Sequence, residues 1–220
     1  MIRALVRWLV SAIVTVMGLL AAAIFLLRVV PPPATPLMLR NAPRVGIHKT
    51  WVPLDDVAPV LLRSVIAAED SRFFLHRGVD WDAIGEAHDY NERHGGAPRR
   101  GGSTITMQCA RNVFLWQGKS YVRKGLEVVL AYAIDAAWGK RRVLEVYLNV
   151  IEWGPGLYGA EAAARTYFGV SAASLDGRQA ALLAAVLPSP VRWNAARPTR
   201  AVLARAAVIE TRAAGVRLEH

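Results

Sequence analysis

Residues 67–78 read AAEDSRFFLHRG. A Glu, an Asp, two Arg and a His surround Phe73 and Phe74 at a point where a helix should stop. Upstream, Val57, Val60, Leu61, Val65 and Ala68 keep the spacing of one apolar helix face, and Asp55 or Asp56 is placed to cap its start. Glu69 and Asp70 therefore fall at the carboxyl end, where the helix dipole disfavours negative charge. A carboxylate there needs a cationic partner or a chemical task. The plain alternative is a surface pair with Arg72 or Arg77.

The residues before this helix divide into an anchor and a spacer. Leu9 to Leu27 carries no charge, with Arg3 and Arg7 ahead of it and Arg28 closing it. At 1.5 Å per residue this run covers a hydrocarbon core of roughly 30 Å. A cleavable signal peptide would have a shorter apolar region and a small-residue cleavage site, and Leu27-Arg28-Val29-Val30-Pro31 is a poor one. Residues 1–30 are expected to be a cytoplasmic amino terminus and an uncleaved transmembrane anchor. Arg3 and Arg7 vote for a cytoplasmic start, against Arg28, Arg40 and Arg44 on the far side. Pro31-Pro32-Pro33 and Pro36 predict a stiff, extended, Pro-rich linker over residues 31–48.

Net charge is +10 with 54% hydrophobic residues, an unusual pairing that the anchor partly explains. A basic domain held close to a bilayer suits anionic headgroups or a phosphorylated lipid. Nucleic acid is the usual reading of such charge, but a translocated domain seldom meets it, and the aromatics are not interleaved with the basic runs. Cys109 is the single cysteine, so no intrachain disulfide forms. No His/Asp/Glu cluster has ligand spacing, so a dedicated metal site is not expected, and assistance by a divalent cation is left open.

Further along, residues 49–54 predict a short extended lead-in, and Asp80 to Tyr90 a helix. The Gly- and Arg-rich stretch 91–102 predicts a mobile loop. Helices are expected from Ser103, from Ser120 to a stop at Gly139, from Lys140 to Asn149, from Gly159 to Tyr167, from Ser174 or Asp176, and from Arg200 to Ala213. No stretch shows a clear strand period. The fold class is mainly α.

Three clusters hold polar residues without an evident structural reason. The first is 69–78. In the second, Gly101 and Gly102 precede Ser103, Thr104 and Gln108 at a helix start, an arrangement suited to an anion or a sugar, though Ser and Thr are also ordinary caps. The third is basic: Arg123 and Lys124 before Glu127, and Lys140, Arg141 and Arg142 before Glu145. These read either as ion pairs on solvated helix faces or as a clamp for pyrophosphate.

In series, these segments resemble the peptidoglycan glycosyltransferases, glycosyltransferase family 51. AAEDSRFFLHRGVD resembles that family's first signature, GGSTITMQCARN the second, RKGLE the third, and KRRVLEVYLNVIEWGPGLYGAEAAARTYFG the fourth. QAALLAAVLPSP resembles its closing helix. With no penicillin-binding domain following, the chain resembles the monofunctional biosynthetic members.

The resemblance implies a lysozyme-like helical domain over residues 49–214, with a small membrane-facing jaw, behind one transmembrane helix. It implies polymerisation of lipid II into glycan strands, with inversion at the anomeric carbon and release of undecaprenyl pyrophosphate. Glu69 matches the catalytic base. A second, assisting carboxylate is Glu145 or Glu152, with Glu145 preferred. Ser103, Thr104, Gln108 and Asn112 match the polar floor of the cleft. Arg123, Lys124 and Lys140 match positions suited to the leaving pyrophosphate, as does Arg111, where many relatives carry Lys. Met107 replaces a Gln of the second signature, so either a sugar contact is missing or the side chain faces the core. Asp70 and Arg72 are expected to hold the segment around Glu69, Phe73 and Phe74 to anchor it, and His76 to be structural. The implied partners are lipid II, the growing glycan, the membrane and cell-division or elongation proteins, with no nucleic acid. The implied location is the bacterial inner membrane, single-pass, with the catalytic domain in the periplasm. The rival readings are a lysozyme-like enzyme that cleaves peptidoglycan, which has no use for the cations, and a non-catalytic membrane-tethered scaffold.

Overall fold

The computed structural model describes residues 1–95, 100–118 and 120–218. Helix α1 spans Ile2–Leu27, and its residues are almost all exposed except Ile24. Among the described residues it is the one helix long and apolar enough to cross a membrane. Its 26 residues are about 39 Å long, enough to span with some tilt.

The segment after the anchor is not the extended spacer that its prolines suggest. Pro36–Val45 forms helix α2, with the Thr35 side chain accepting from Met38 N at 3.3 Å and Met38 fully buried. Pro36 stands in the first turn, where a missing N–H costs nothing and a fixed φ favours the helix. Pro36 thus starts a helix, while Pro31, Pro32 and Pro33 stay outside it.

Helix α3 spans Pro59–Glu69, later than expected. Asp55 and Asp56 belong to a separate 3-10 turn, and Ala58 occupies the N-cap. Asp55 instead pairs with Arg141 at 2.5 Å. Helix α4 covers Trp81–Arg93, three residues past the expected end, with Asp80 capping Ala83 N at 2.9 Å. Of the loop expected to be mobile over 91–102, residues 96–99 lie outside the described residues. Helix α5 covers Ile105–Phe114, capped by Thr104. Helix α6 covers Tyr121–Val150 and is broken at Gly139, whose φ of 71° is open to glycine at little cost. Helices α7 (Ala160–Phe168), α8 (Gly177–Val186) and α9 (Arg200–Ala213) follow, α8 opening with a capping box between Asp176 and Gln179.

Three short strands are present: β1 (His48–Lys49), which meets the expected extended lead-in at Lys49, and β2 (Glu152–Gly154) and β3 (Leu157–Tyr158), which the sequence does not announce. The sheet order is β1-β3-β2, with β1 parallel and β2 antiparallel to β3. Strands of two or three residues are too short to show a period.

The main core joins α3, α8 and α9 with α5 and residues from both halves of α6, and buries Leu61, Val65, Ile66, Ile134, Leu148, Trp153 and Leu183. A second, small core holds Val79, Met107 and Ala131, with Ile84 and Val128 packed on it. This small core makes a minor lobe from α4, the start of α5 and the first half of α6. Met107 is fully buried there, so it faces the core and not a cleft. Close approach demands glycine at Gly78: its φ is +81°, and a Cβ would lie 2.6 Å from the Ala131 carbonyl oxygen.

Candidate active site

Glu69 is the last residue of α3. Its side chain retains 15% exposure. Gln108, one turn into α5, donates its Nε2 to Glu69 Oε2 at 3.0 Å. Arg205 of α9 lies 3.7 Å from Glu69 Oε1. Burial pushes the Glu69 carboxyl above its usual range, the Gln108 N–H and the charges of Arg205 and Arg111 pull it back, and Asp70 pushes it up again. The net direction is upward. A carboxylate whose pKa is raised in this way is, once ionised, a better proton acceptor than an ordinary surface Glu.

The neighbouring residues hold that geometry. Asp70 is buried and accepts from Ile105 N at 2.9 Å and from His76 Nε2 at 3.0 Å. One side chain thus ties the end of α3 to the start of α5 and satisfies an orphan helix N–H. Arg72 forks onto Asp80, with Nε to Oδ2 at 2.7 Å and Nη2 to Oδ1 at 3.1 Å. Phe73 is fully buried, with Phe74 edge-on at 5.1 Å.

A second group lies at the start of α5. Lys124 Nζ donates to Ser103 Oγ at 2.7 Å and pairs with Glu127 at 2.9 Å. Thr104 donates to the Gly78 carbonyl at 2.6 Å. Ser103 and Thr104 lead directly into the helix that carries Gln108, Arg111 and Asn112, so both groups share one wall. Arg123 differs from its neighbour Lys124. It is buried, paired with Glu127 and bonded to the Gly118 carbonyl at 2.8 Å.

The remaining expected residues stand apart from these contacts. Lys140 pairs with Asp135 at 2.7 Å and sits 4.8 Å above the Phe73 ring. Glu145 is held by Arg142 at 2.5 Å, and Arg142 also donates to the carbonyls of Leu27 and Val30 at the end of the anchor. Glu152 belongs to the β2–β3 hairpin, where its Oε1 accepts from Gly156 N at 3.1 Å. Burial raises its carboxyl as well, against hydrogen bonds from Gly156, Tyr158 and Asn41.

Sequence reasoning missed two members of the Glu69 cluster. Arg205 stands on the last helix among ordinary surface arginines. Tyr147 lies inside the fourth signature, but nothing local distinguishes its hydroxyl, which donates to Gln108 Oε1 at 3.2 Å.

The arrangement is a largely desolvated carboxylate with Gln108 and Arg205 against it, and a second group, Lys124 with Ser103 and Thr104, at the start of the helix that carries Gln108. Comparison with known proteins gives the family. The family model described as transglycosylase matches residues 38–214. A biosynthetic peptidoglycan transglycosylase of Rhodospirillum centenum is 50% identical over 99% of this chain and 94% of its own length. Those of Caulobacter vibrioides (51%, over 93% of this chain and 89% of the relative) and Bdellovibrio bacteriovorus (47%, over 90% and 82%) are similar. With the family model covering most of the chain and relatives about half identical over nearly all of it, the chain belongs to the transglycosylase family.

Proposed function

We propose that this chain is a peptidoglycan glycosyltransferase that polymerises lipid II during cell-wall synthesis. The observation that carries the reading is Glu69: a largely desolvated carboxylate at a helix end, held by Gln108 and flanked by Arg205. Glu69 takes the proton from the 4-hydroxyl of the acceptor sugar. The freed oxygen attacks C1 of the growing chain's terminal sugar. The bond from C1 to the pyrophosphate oxygen breaks, the anomeric centre inverts, and undecaprenyl pyrophosphate leaves with the electron pair.

Developing charge on that leaving group calls for fixed cations. Lys124 and Arg111 are placed on or beside α5 for this role, with Ser103, Thr104, Gln108 and Asn112 as polar wall. Arg123 supports Lys124 by sharing Glu127. Lys140 is a further cation on the side of Phe73. Glu145 remains the preferred second carboxylate, gated by its pair with Arg142, and Glu152 serves the hairpin. A peptidoglycan-cleaving enzyme would need the Glu without these cations.

The minor lobe supplies the membrane-facing jaw. Tyr121, Val122, Leu126, Val129 and Tyr132 follow helical spacing along α6 and are exposed. The chain is a single-pass protein of the bacterial inner membrane with its lobe in the periplasm, and cell-division or elongation proteins are its expected partners.

The test is polymerisation of purified lipid II by the detergent-solubilised full chain beside Glu69→Gln. Glycan chains from the wild type and none from the folded variant are expected. Near-wild-type turnover by Glu69→Gln removes the base assignment, and no product from either moves the reading to a scaffold.

A further inference from the structure

Tyr147 is the one polar side chain of the Glu69 cluster with no task so far. It is 1% exposed, and among the described residues its hydroxyl makes one hydrogen bond, to Gln108 Oε1 at 3.2 Å. Its ring alone would serve the packing equally well as a phenylalanine. The hydroxyl therefore asks for a reason, because burying it is unfavourable unless it is paired.

Chemistry fixes the direction of every bond in this chain of contacts. Ionised Glu69 can only accept. Gln108 must therefore present its Nε2 to Glu69, as it does at 3.0 Å. That orientation turns Oε1 away from Glu69 and toward Tyr147. A carbonyl oxygen needs a donor, and the phenol O–H is that donor. Burial, reinforced by the charge of Glu69, keeps the phenol in its neutral, donating form.

We propose that Tyr147 is a positioning residue for Glu69: acting through Gln108, it locks the amide so that a donor, not an acceptor, faces the carboxylate. The inference rests on the reading of Glu69 as general base. Without the phenol proton, the amide is free to turn and set Oε1 against Glu69. A carbonyl oxygen in that position favours the protonated acid, which can donate to it, and disfavours the base. Fewer molecules then carry a competent base at neutral pH.

The experiment is the pH dependence of initial polymerisation rate at low lipid II, from about pH 5 to about pH 9, for the full chain. Four proteins are compared: wild type, Tyr147→Phe, Gln108→Leu and the double variant. Tyr147→Phe is expected to move the acid limb up by about one pH unit, a roughly tenfold loss below the limb and little loss above it. The double variant is expected to match Gln108→Leu, because Tyr147 acts through that amide. Site-specific 3-fluorotyrosine at 147, which keeps the hydrogen bond, should retain the wild-type limb.

A loss that is equal at every pH, an additive double variant, or a Tyr147→Phe chain that does not fold assigns the phenol to packing and overturns the proposal. An active wild type with an unmoved limb in Tyr147→Phe defeats this inference alone. An inactive wild type defeats the general-base reading, and this inference with it.

Discussion

Trp138 donates its indole N–H to the Ile24 carbonyl at 2.7 Å, a bond that fastens the anchor to the catalytic lobe. Trp138 stands one residue before the break in α6, and Ile24 is one turn from the end of α1. Arg142 continues the seam by donating to Leu27 and Val30 carbonyls at 2.9–3.2 Å. The Leu27 carbonyl, at the end of α1, is one of the helix's orphan acceptors, so Arg142 acts as a C-cap supplied by a distant element, while Trp138 shares the Ile24 carbonyl with Arg28 N.

Arg142→Ala should therefore be costly. It strands Glu145, a half-buried carboxylate, and uncaps the anchor. A loss of about 2–4 kcal/mol is expected, read by thermal unfolding of the full chain in detergent. Arg142→Lys should recover less than half, because an ammonium cannot fork between carbonyls and a carboxylate. Unchanged melting in Arg142→Ala would show that the seam carries no load.

Arg123 and Lys124 are adjacent in sequence but should separate in assay. The Arg123 side chain is 11% exposed and that of Lys124 41%. Among the described residues, Arg123→Ala leaves the buried Glu127 with only the more exposed Lys124 as counter-ion. A destabilisation of about 3 kcal/mol is expected. Lys124→Ala leaves Arg123 on Glu127, so stability should hold within about 1 kcal/mol while polymerisation of lipid II falls. Paired melting and activity measurements distinguish the two, and parallel losses in both variants would contradict the assignment.

Glu69 should leave a signature in stability as well as in rate. Its carboxyl is raised in the fold from an ordinary value of 4.5, chiefly by burial. The folded state thus holds this proton more tightly than the unfolded chain. The stabilisation is complete below about 4.5 and is lost as pH rises through the folded value. Glu69→Gln removes this dependence. The variant should gain on the wild type in melting temperature as pH rises above about 4.5. A constant difference between the two curves across that range would refute the raised carboxyl.

Several features were readable from local sequence because their physics is local. Asp80 and Asp176 cap helices through N–H groups three residues away, and Gly139 breaks α6 by its own φ. The apolar run of α1 declares itself by length. Glu69 stood out as a negative charge at the wrong end of a helix. Local signals mislead where two of them compete: Pro36 suits a spacer but starts α2, and Asp55 and Asp56 suit a cap but sit in a 3-10 turn, with Asp55 paired to Arg141.

What surrounds Glu69 was decided by the tertiary structure alone. Asp70 reaches Ile105, Gln108 reaches Glu69, Tyr147 reaches Gln108, and Arg205 comes from the last helix. The orientation of Met107 was equally hidden, since a helix face becomes core only when another element covers it. Sequence periodicity determines which residues share a face and where helices start and stop. Packing decides which faces meet, and only that meeting places a desolvated carboxylate, its donor amide and the cations within reach of one another.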